Sequence, residues 1–261
     1  MEIRSSVVVG SGNVAEQVAL AIAESWPIEL RQVVARNAAR AAEVASLAAC
    51  EWGSEISSAA EADIYIIAVS DRAVAEVAAE LRKGVGSNKL IVHTAGSVEM
   101  DALGDGLRGV FYPFQTFTKG RRIDFSQVPL FVEGCDDATT QMIESFAANL
   151  SHRVYRAGSQ RRREIHLTGV LACNFVNALY SMAADRLAER EGLNFDVLRE
   201  LIVETARKAA EAEHPRMVQT GPAVRGDKAV AERHMTMLED ESQKEIYKLL
   251  NDYIWQTSRK I

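Results

Sequence analysis

Residues 7–15 read Val-Val-Val-Gly-Ser-Gly-Asn-Val-Ala: a short apolar strand, a tight turn and the start of a helix. The turn has the pattern G-x-G-x-x-A of a dinucleotide-binding crossover. Gly10 permits the turn, Gly12 lets the backbone approach a pyrophosphate, and Ala15 lets helix and strand pack closely. Ser11, Asn13 and Val14 fill the turn and open the helix, which is predicted over Glu16–Ser25. The free N–H groups and partial positive charge at such a helix start suit phosphate oxygens. The motif is weak in isolation, since an ordinary glycine turn can share it. Its placement between strand and helix within the first thirty residues gives it weight.

Downstream, Leu30–Ala35 reads as the second strand and Ala38–Ala49 as the second helix. The position just past the second strand discriminates between dinucleotides: an acidic residue binds ribose hydroxyls, an arginine accommodates a 2′-phosphate. This chain has Arg36 and Asn37 there, and Arg40 one turn into the helix. The expected cofactor is therefore NADP(H), with a solvated loop arginine as the plain alternative.

Strands and helices continue to alternate. Asp63–Val69 is an almost unbroken apolar run, as a strand buried on both faces should be. A helix over Arg72–Leu81 follows, then the strand Leu90–Val92 and the segment His93-Thr94-Ala95-Gly96-Ser97. Ligands of open parallel sheets lie beyond the carboxyl ends of the strands. Val69, Ser70, His93 and Thr94 are thus candidate cofactor contacts, though His93 also reads as a strand-end histidine satisfied by backbone. Further short strands are predicted at Gly109–Phe111, Leu130–Val132 and Val154-Tyr155, and a helix at Asp137–Leu150. The whole of residues 3–157 reads as a doubly wound parallel sheet of α/β class.

From Ser159 onward only helices are predicted: Arg161–Glu191, Phe195–Glu213, Lys228–Leu238 and Ser242–Thr257. The boundary is set near residue 158, giving a dinucleotide-binding domain over 1–157 and an all-helical substrate and dimerisation domain over 158–261. Among 261 residues, 48% are hydrophobic and 25% charged, with a net charge of −6. That balance indicates a globular chain and argues against a general nucleic-acid surface. Three widely spaced cysteines, Cys50, Cys135 and Cys173, have no metal-ligand spacing and fit a reducing compartment, so the cytoplasm is expected. The apolar stretch Leu167–Ala184 is interrupted by Asn174, Asn177 and Ser181 and reads as a buried helix rather than a membrane span.

On that long helix, Arg163, His166, Val170, Asn174, Asn177 and Ser181 recur at spacings of three and four, which places them on one stripe. Buried amides need partners, either a neighbouring helix or a substrate. Of the three arginines that open the helix, Arg163 is in register with His166 and is the candidate to face an anion.

These motifs bear a family resemblance. The first half resembles the NADP-binding domains of pyrroline-5-carboxylate reductase, ketopantoate reductase and the deazaflavin-dependent NADP reductases. The whole chain resembles a bacterial family that joins a Rossmann-like domain to a C-terminal domain of unknown function. The motifs are G-S-G-N-V-A from Gly10, H-T-A-G-S at 93–97, Y-P-F-Q-T-F at 112–117, R-E-I-H-L at 163–167, C-N-F at 173–175 and Q-T-G-P-A-V-R-G-D at 219–227. The resemblance implies an all-α, 6-phosphogluconate-dehydrogenase-like C-terminal domain and pairing of two copies through it. Two departures stand out. Tyr112 occupies a position where the family is expected to have histidine, and it is given no catalytic role. The lysine and asparagine that related dehydrogenases place one turn apart are not reproduced, because the register of His166 leads through Val170 to Asn174.

The expected activity is hydride transfer between a nicotinamide and a small carbonyl, imine or hydroxy acid, with a non-catalytic NADP-binding sensor or scaffold as the alternative. Arg163 and Arg225 are candidate carboxylate anchors, and Asn174 and Thr220 candidate orienting groups. Of five histidines, His166 is the candidate proton donor and His93 the reserve; a packed, purely structural His166 is the competing reading.

Overall fold

The structure is a computed structural model that describes residues 2–259. Its contacts divide into two compact units, one ending at Ala178 and the other beginning at Leu179. The first is built on strands β1 (Ser5–Val9), β2 (Glu29–Val34), β3 (Glu51–Gly53), β4 (Ile64–Ile67), β5 (Leu90–His93), β6 (Arg108–Pro113), β7 (Leu130–Gly134) and β8 (Val154–Arg156). They form one sheet in the order β3-β2-β1-β4-β5-β6-β7-β8. Helices α1 (Asn13–Ala23), α2 (Ala38–Ala48), α3 (Val74–Val85) and α4 (Asp137–Ala148) connect them. Every residue of β1, β4 and β5 is buried, which is why these central strands read as continuous apolar runs. The chain reverses its direction of strand addition at β1, so β1 and β4 flank the switch point where a crevice opens at their carboxyl ends.

Two features differ from expectation. β3, with the sequence Glu-Trp-Gly, lies at the sheet edge beside β2; an edge strand this short carries no apolar run to announce it. β6 and β7 pair antiparallel, in an otherwise parallel sheet. No α-helix separates them, and without a crossover helix the chain can return only by reversing direction.

The long helix is also not uniform. α5 (Ser159–Gly169) runs into a π-helical turn at Val170–Asn174 and then into α6 (Phe175–Glu191). The predicted boundary at 158 marks the end of the strands, but the compact units divide about twenty residues later. The reason is that α5 packs on the sheet: the buried Arg162 is ion-paired with Glu133 of β7. Nor is the helix buried all round, since Leu167, Leu171 and Phe175 are all more than half exposed. Ser159–Glu189 is long and apolar enough to cross a membrane, with a mean hydropathy of 1.3 over its most apolar window. Its first turns are instead fixed to a sheet by a buried ion pair, an arrangement foreign to a lipid-spanning segment.

The second unit contains the rest of α6 with α7 (Asp196–Glu211), α8 (Pro222–Arg225), α9 (Lys228–Met237) and α10 (Glu241–Ser258). Asp227 and Asp240 cap α9 and α10 through their carboxylates. Gly226, at φ +66°, lies under the Trp255 ring, where a Cβ would come within 2.6 Å of it.

Candidate active site

A cleft of about 740 Å³ opens at the carboxyl ends of β1 and β4, and the first unit alone lines it. Its floor is the glycine turn: Gly10, Ser11, Gly12, Asn13 and Val14 all face it. Gly10 has φ +131°, and a Cβ there would meet the Ala68 carbonyl oxygen at 2.2 Å, so no other residue fits. A Cβ on Gly12 would meet nothing within 4 Å; its missing side chain faces the open cleft. Gly12 also N-caps α1 without a side-chain hydrogen bond. The first N–H groups of α1 are therefore left for a ligand.

At one end lie Val69, Ser70, Arg36 and Asn37. Arg36 Nη2 donates to Glu76 and Glu80 on α3, each at 2.7 Å. Asn37 Oδ1 caps α2 by accepting from the Arg40 backbone N–H at 3.1 Å. Arg40 does not line the cleft, contrary to expectation. Its guanidinium is turned beneath the glycine turn, paired with the buried Glu16 and with Glu43, and its Nε donates to the Ser11 carbonyl at 3.2 Å. Arg40 braces the turn through these contacts.

His93 and Thr94 likewise stand back from the cleft surface. Both are buried and neither lines the cleft. Nδ1 of His93 accepts the Ala95 N–H at 3.1 Å, so the ring hydrogen sits on Nε2. Burial, reinforced by the Arg162 charge, pushes its pKa down to about 3. Buried and bonded to the backbone at Nδ1, His93 has the surroundings of a strand-end histidine satisfied by backbone.

The other wall is aromatic. Tyr112, Phe114, Gln115, Thr116 and Phe117 line the cleft, and Asn13 Nδ2 donates to the Phe117 carbonyl at 3.1 Å, tying this loop to the glycine turn. Opposite stand His166, Gly169, Val170, Cys173 and Asn174. The π turn falls within this set, and such turns recur at functional sites. Gly169 lets the helix approach the loop, since a Cβ would lie 2.6 Å from the Phe114 ring. The Tyr112 hydroxyl lies 3.0 Å from Nδ1 of His166. Gly96 lies beside this pair, with space for no Cβ: one would stand 2.7 Å from both Nδ1 and Tyr112 Cζ.

His166 and Asn174 therefore line the same cleft as the glycine turn. Arg163 does not join them; it pairs with Glu99 on the outside and stays half exposed. The inward arginine is Arg162, whose side chain is fully buried against Glu133, the Val98 carbonyl and Ser159. Thr220 and Arg225 belong to the second unit, where Thr220 lines a small apolar pocket with Tyr247 and His234. Tyr112 is the residue whose part the sequence reading missed. The available signal was its place at the end of β6, immediately before an aromatic loop at the sheet's ligand-binding edge.

A family model described as NADP oxidoreductase, coenzyme F420-dependent, matches residues 6–96. A domain of unknown function, DUF2520, matches residues 128–254. A structure from Bacteroides fragilis whose assigned activity is NADP oxidoreductase shares 37% identity with this chain. Each covers 98% of the other, with a TM-score of 0.89. The chain belongs to this NADP oxidoreductase family. Two more distant structures share its fold. A pyrroline-5-carboxylate reductase from Coxiella burnetii is 17% identical over 99% of this chain and 98% of that one, with a TM-score of 0.58. An imine reductase from Myxococcus stipitatus is 16% identical over 98% and 93%, with a TM-score of 0.57. No curated protein sequence matches the chain. The cleft fits the family's cofactor: Gly12 leaves open space over an uncapped helix start, and Arg36 stands past β2 where a 2′-phosphate would lie.

Proposed function

We propose that this NADP oxidoreductase reduces a small carbonyl or imine, or oxidises the matching hydroxy acid or amine, with His166 as proton donor or polariser of the reacting heteroatom. The observation carrying this reading is that His166 and Asn174 line the same cleft as the glycine turn. When bound, NADPH supplies the hydride. The carbon that accepts it passes its electron pair to oxygen or nitrogen, which then needs a proton. His166 stands on the cleft wall to give it, and Asn174, two turns further along, orients the substrate. Gly10, Ser11, Gly12, Asn13 and Val14 hold the pyrophosphate, and Arg36 with Asn37 the 2′-phosphate. Thr220 and Arg225 lie in the second unit, outside the lining of this cleft, and are given no part in it. Arg163, already paired with Glu99, takes no part.

The active species is proposed to be a homodimer, formed through the exposed apolar side of α5 and α6. Cys50, Cys135 and Cys173 are free thiols, in keeping with a cytoplasmic location.

The test is NADPH oxidation against a panel of 2-keto acids, cyclic imines and aldehydes, with wild type and His166→Gln side by side. Turnover with one class, lowered roughly 10²–10⁴-fold in the variant at unchanged NADPH affinity, is expected. Wild-type turnover in His166→Gln rejects the assignment. Tight NADPH binding with no oxidation by any acceptor would instead favour a sensor.

A further inference from the structure

We infer that Tyr112 is a positioning residue for His166, fixing the ring so that Nε2 always carries a hydrogen and presents it to the cleft. This rests on the reading of His166 as the group that acts on the reacting heteroatom.

The geometry comes from three separate elements. Tyr112 lies in β6, His166 on α5, and Gly96 in the loop after β5. The Tyr112 hydroxyl is 3.0 Å from His166 Nδ1. Tyr112 is 8% exposed, and Nδ1 of His166 is its one described hydrogen-bond partner among the described residues. A buried hydroxyl keeps its proton where it can be used. Burial pushes the Tyr112 pKa up to about 12, so the phenol remains an O–H group throughout the working pH range. Nδ1, 3.0 Å away, is the acceptor within reach of that hydrogen, and the pairing inferred here has Oη–H donating to Nδ1 of the neutral ring.

A neutral imidazole carries one hydrogen. With Nδ1 accepting, that hydrogen sits on Nε2, the nitrogen left for the cleft that His166 lines. In the imidazolium both nitrogens carry hydrogen, and Nδ1–H turns toward the tyrosine oxygen while Nε2–H is unchanged. The cleft therefore meets a donor in either protonation state. Without the hydroxyl, the neutral ring is free to place a lone pair there instead, which would repel the lone pairs of a carbonyl oxygen or imine nitrogen.

The surroundings keep the pair in register. Tyr112 also packs edge-on against Phe114, at 6.1 Å between ring centroids, and beside Phe131 at 6.4 Å. These contacts hold the phenol ring without its hydroxyl, so Tyr112→Phe is a clean deletion of one hydrogen bond.

The experiment is long-range ¹⁵N–¹H correlation of the histidine rings in the full-length ¹⁵N-labelled protein, with His166 assigned by its loss in His166→Gln. The wild type is expected to show a single His166 tautomer with the hydrogen on Nε2. In Tyr112→Phe that signal should move toward the tautomer mixture of a free imidazole, while the His93 signals, fixed by Ala95, stay in place. Turnover of Tyr112→Phe should drop roughly tenfold or more, with the NADPH affinity unchanged. A wild-type ring with its hydrogen on Nδ1 overturns the proposal, as does a His166 signal indifferent to Tyr112→Phe. Failure of the proton-donor reading looks different: the tautomer shifts as described, but His166→Gln turns over like wild type.

Discussion

The alpha hydrogen side of Gly96 faces His166 so closely that a methyl group there would lie 2.7 Å from Nδ1. The neighbours in the way are His166 Nδ1, Tyr112 Cζ and the Tyr112 hydroxyl oxygen, and neither ring can bend aside like a flexible chain end. Gly96→Ala should therefore separate the Tyr112–His166 pair while sparing the glycine turn of the cofactor cleft. Turnover is expected to fall roughly 10–100-fold, the scale of an ångström-level misplacement. NADPH affinity by fluorescence titration should stay near wild type. Full turnover in Gly96→Ala would show that the pair tolerates displacement.

The sheet was legible because its central strands are buried on both faces, so β1, β4 and β5 could be read from apolar runs alone. The glycine turn was legible for a different reason: the motif encodes Gly10, which no side chain could replace beside Ala68, and Gly12, which leaves open space over the helix start. Side-chain direction was not. Arg162 and Arg163 are adjacent on one helix, and only packing against Glu133 decides that the first turns inward and the second pairs outside with Glu99. The same holds for Arg40, drawn under the turn by Glu16, twenty-four positions away in sequence. Tyr112 and His166 are fifty-four positions apart, and no spacing rule within one element links a strand end to a helix face.

The clasp between Arg162 and Glu133 should be a large single contribution to stability. Arg162 is fully buried, and Glu133 also accepts from the Ser159 backbone N–H at 3.1 Å. Removing one partner leaves a buried charge without compensation, at a cost of roughly 3–5 kcal/mol. Glu133→Gln should lower the urea midpoint accordingly. A loss under about 1 kcal/mol would mean that Val98 and Ser159 satisfy the guanidinium on their own.

His93 gives the stability a pH dependence of known sign. Its folded pKa, about 3, lies below the ordinary value of about 6.5. Above pH 6.5 the ring is neutral in both states and adds no slope. As the pH falls from 6.5 toward 3, the unfolded chain takes up the proton first. Stability then falls by up to about 1.4 kcal/mol per pH unit from this group. His93→Asn offers an acceptor to the Ala95 N–H but does not titrate. Urea unfolding at pH 7 and pH 5 should show a steeper decline in wild type than in the variant. Parallel declines would place the acid sensitivity elsewhere.

Cofactor choice should depend on Arg36 and on its two glutamates. Arg36→Asp removes the charge-assisted donor for a 2′-phosphate and adds an acceptor for ribose hydroxyls. The ratio of NADP to NAD affinity should fall roughly tenfold or more, each tenfold being about 1.4 kcal/mol. Glu80→Gln should act in the opposite direction, because it frees the guanidinium from a competing carboxylate at 2.7 Å. Unchanged ratios in both variants would locate the discrimination away from Arg36.

The exposed side of the long helix leads to the last expectation. Leu167, Leu171 and Phe175 stand four residues apart, with 51%, 54% and 56% of their surface exposed. Leaving a large apolar side chain half in water forgoes on the order of 1 kcal/mol each, and three such residues in one row form a continuous patch rather than scattered exceptions. A second copy of the same helix is a self-complementary cover, since a two-fold axis brings the same row against itself. Light scattering at micromolar concentration should therefore report twice the chain mass of 28.7 kDa. Leu171→Glu, which puts a charge in the middle of the row, should give the single-chain mass while leaving the glycine turn and NADPH binding intact. A wild-type protein that scatters as a single chain would refute the dimer, and Leu171→Glu that still scatters as two would move the interface off this row.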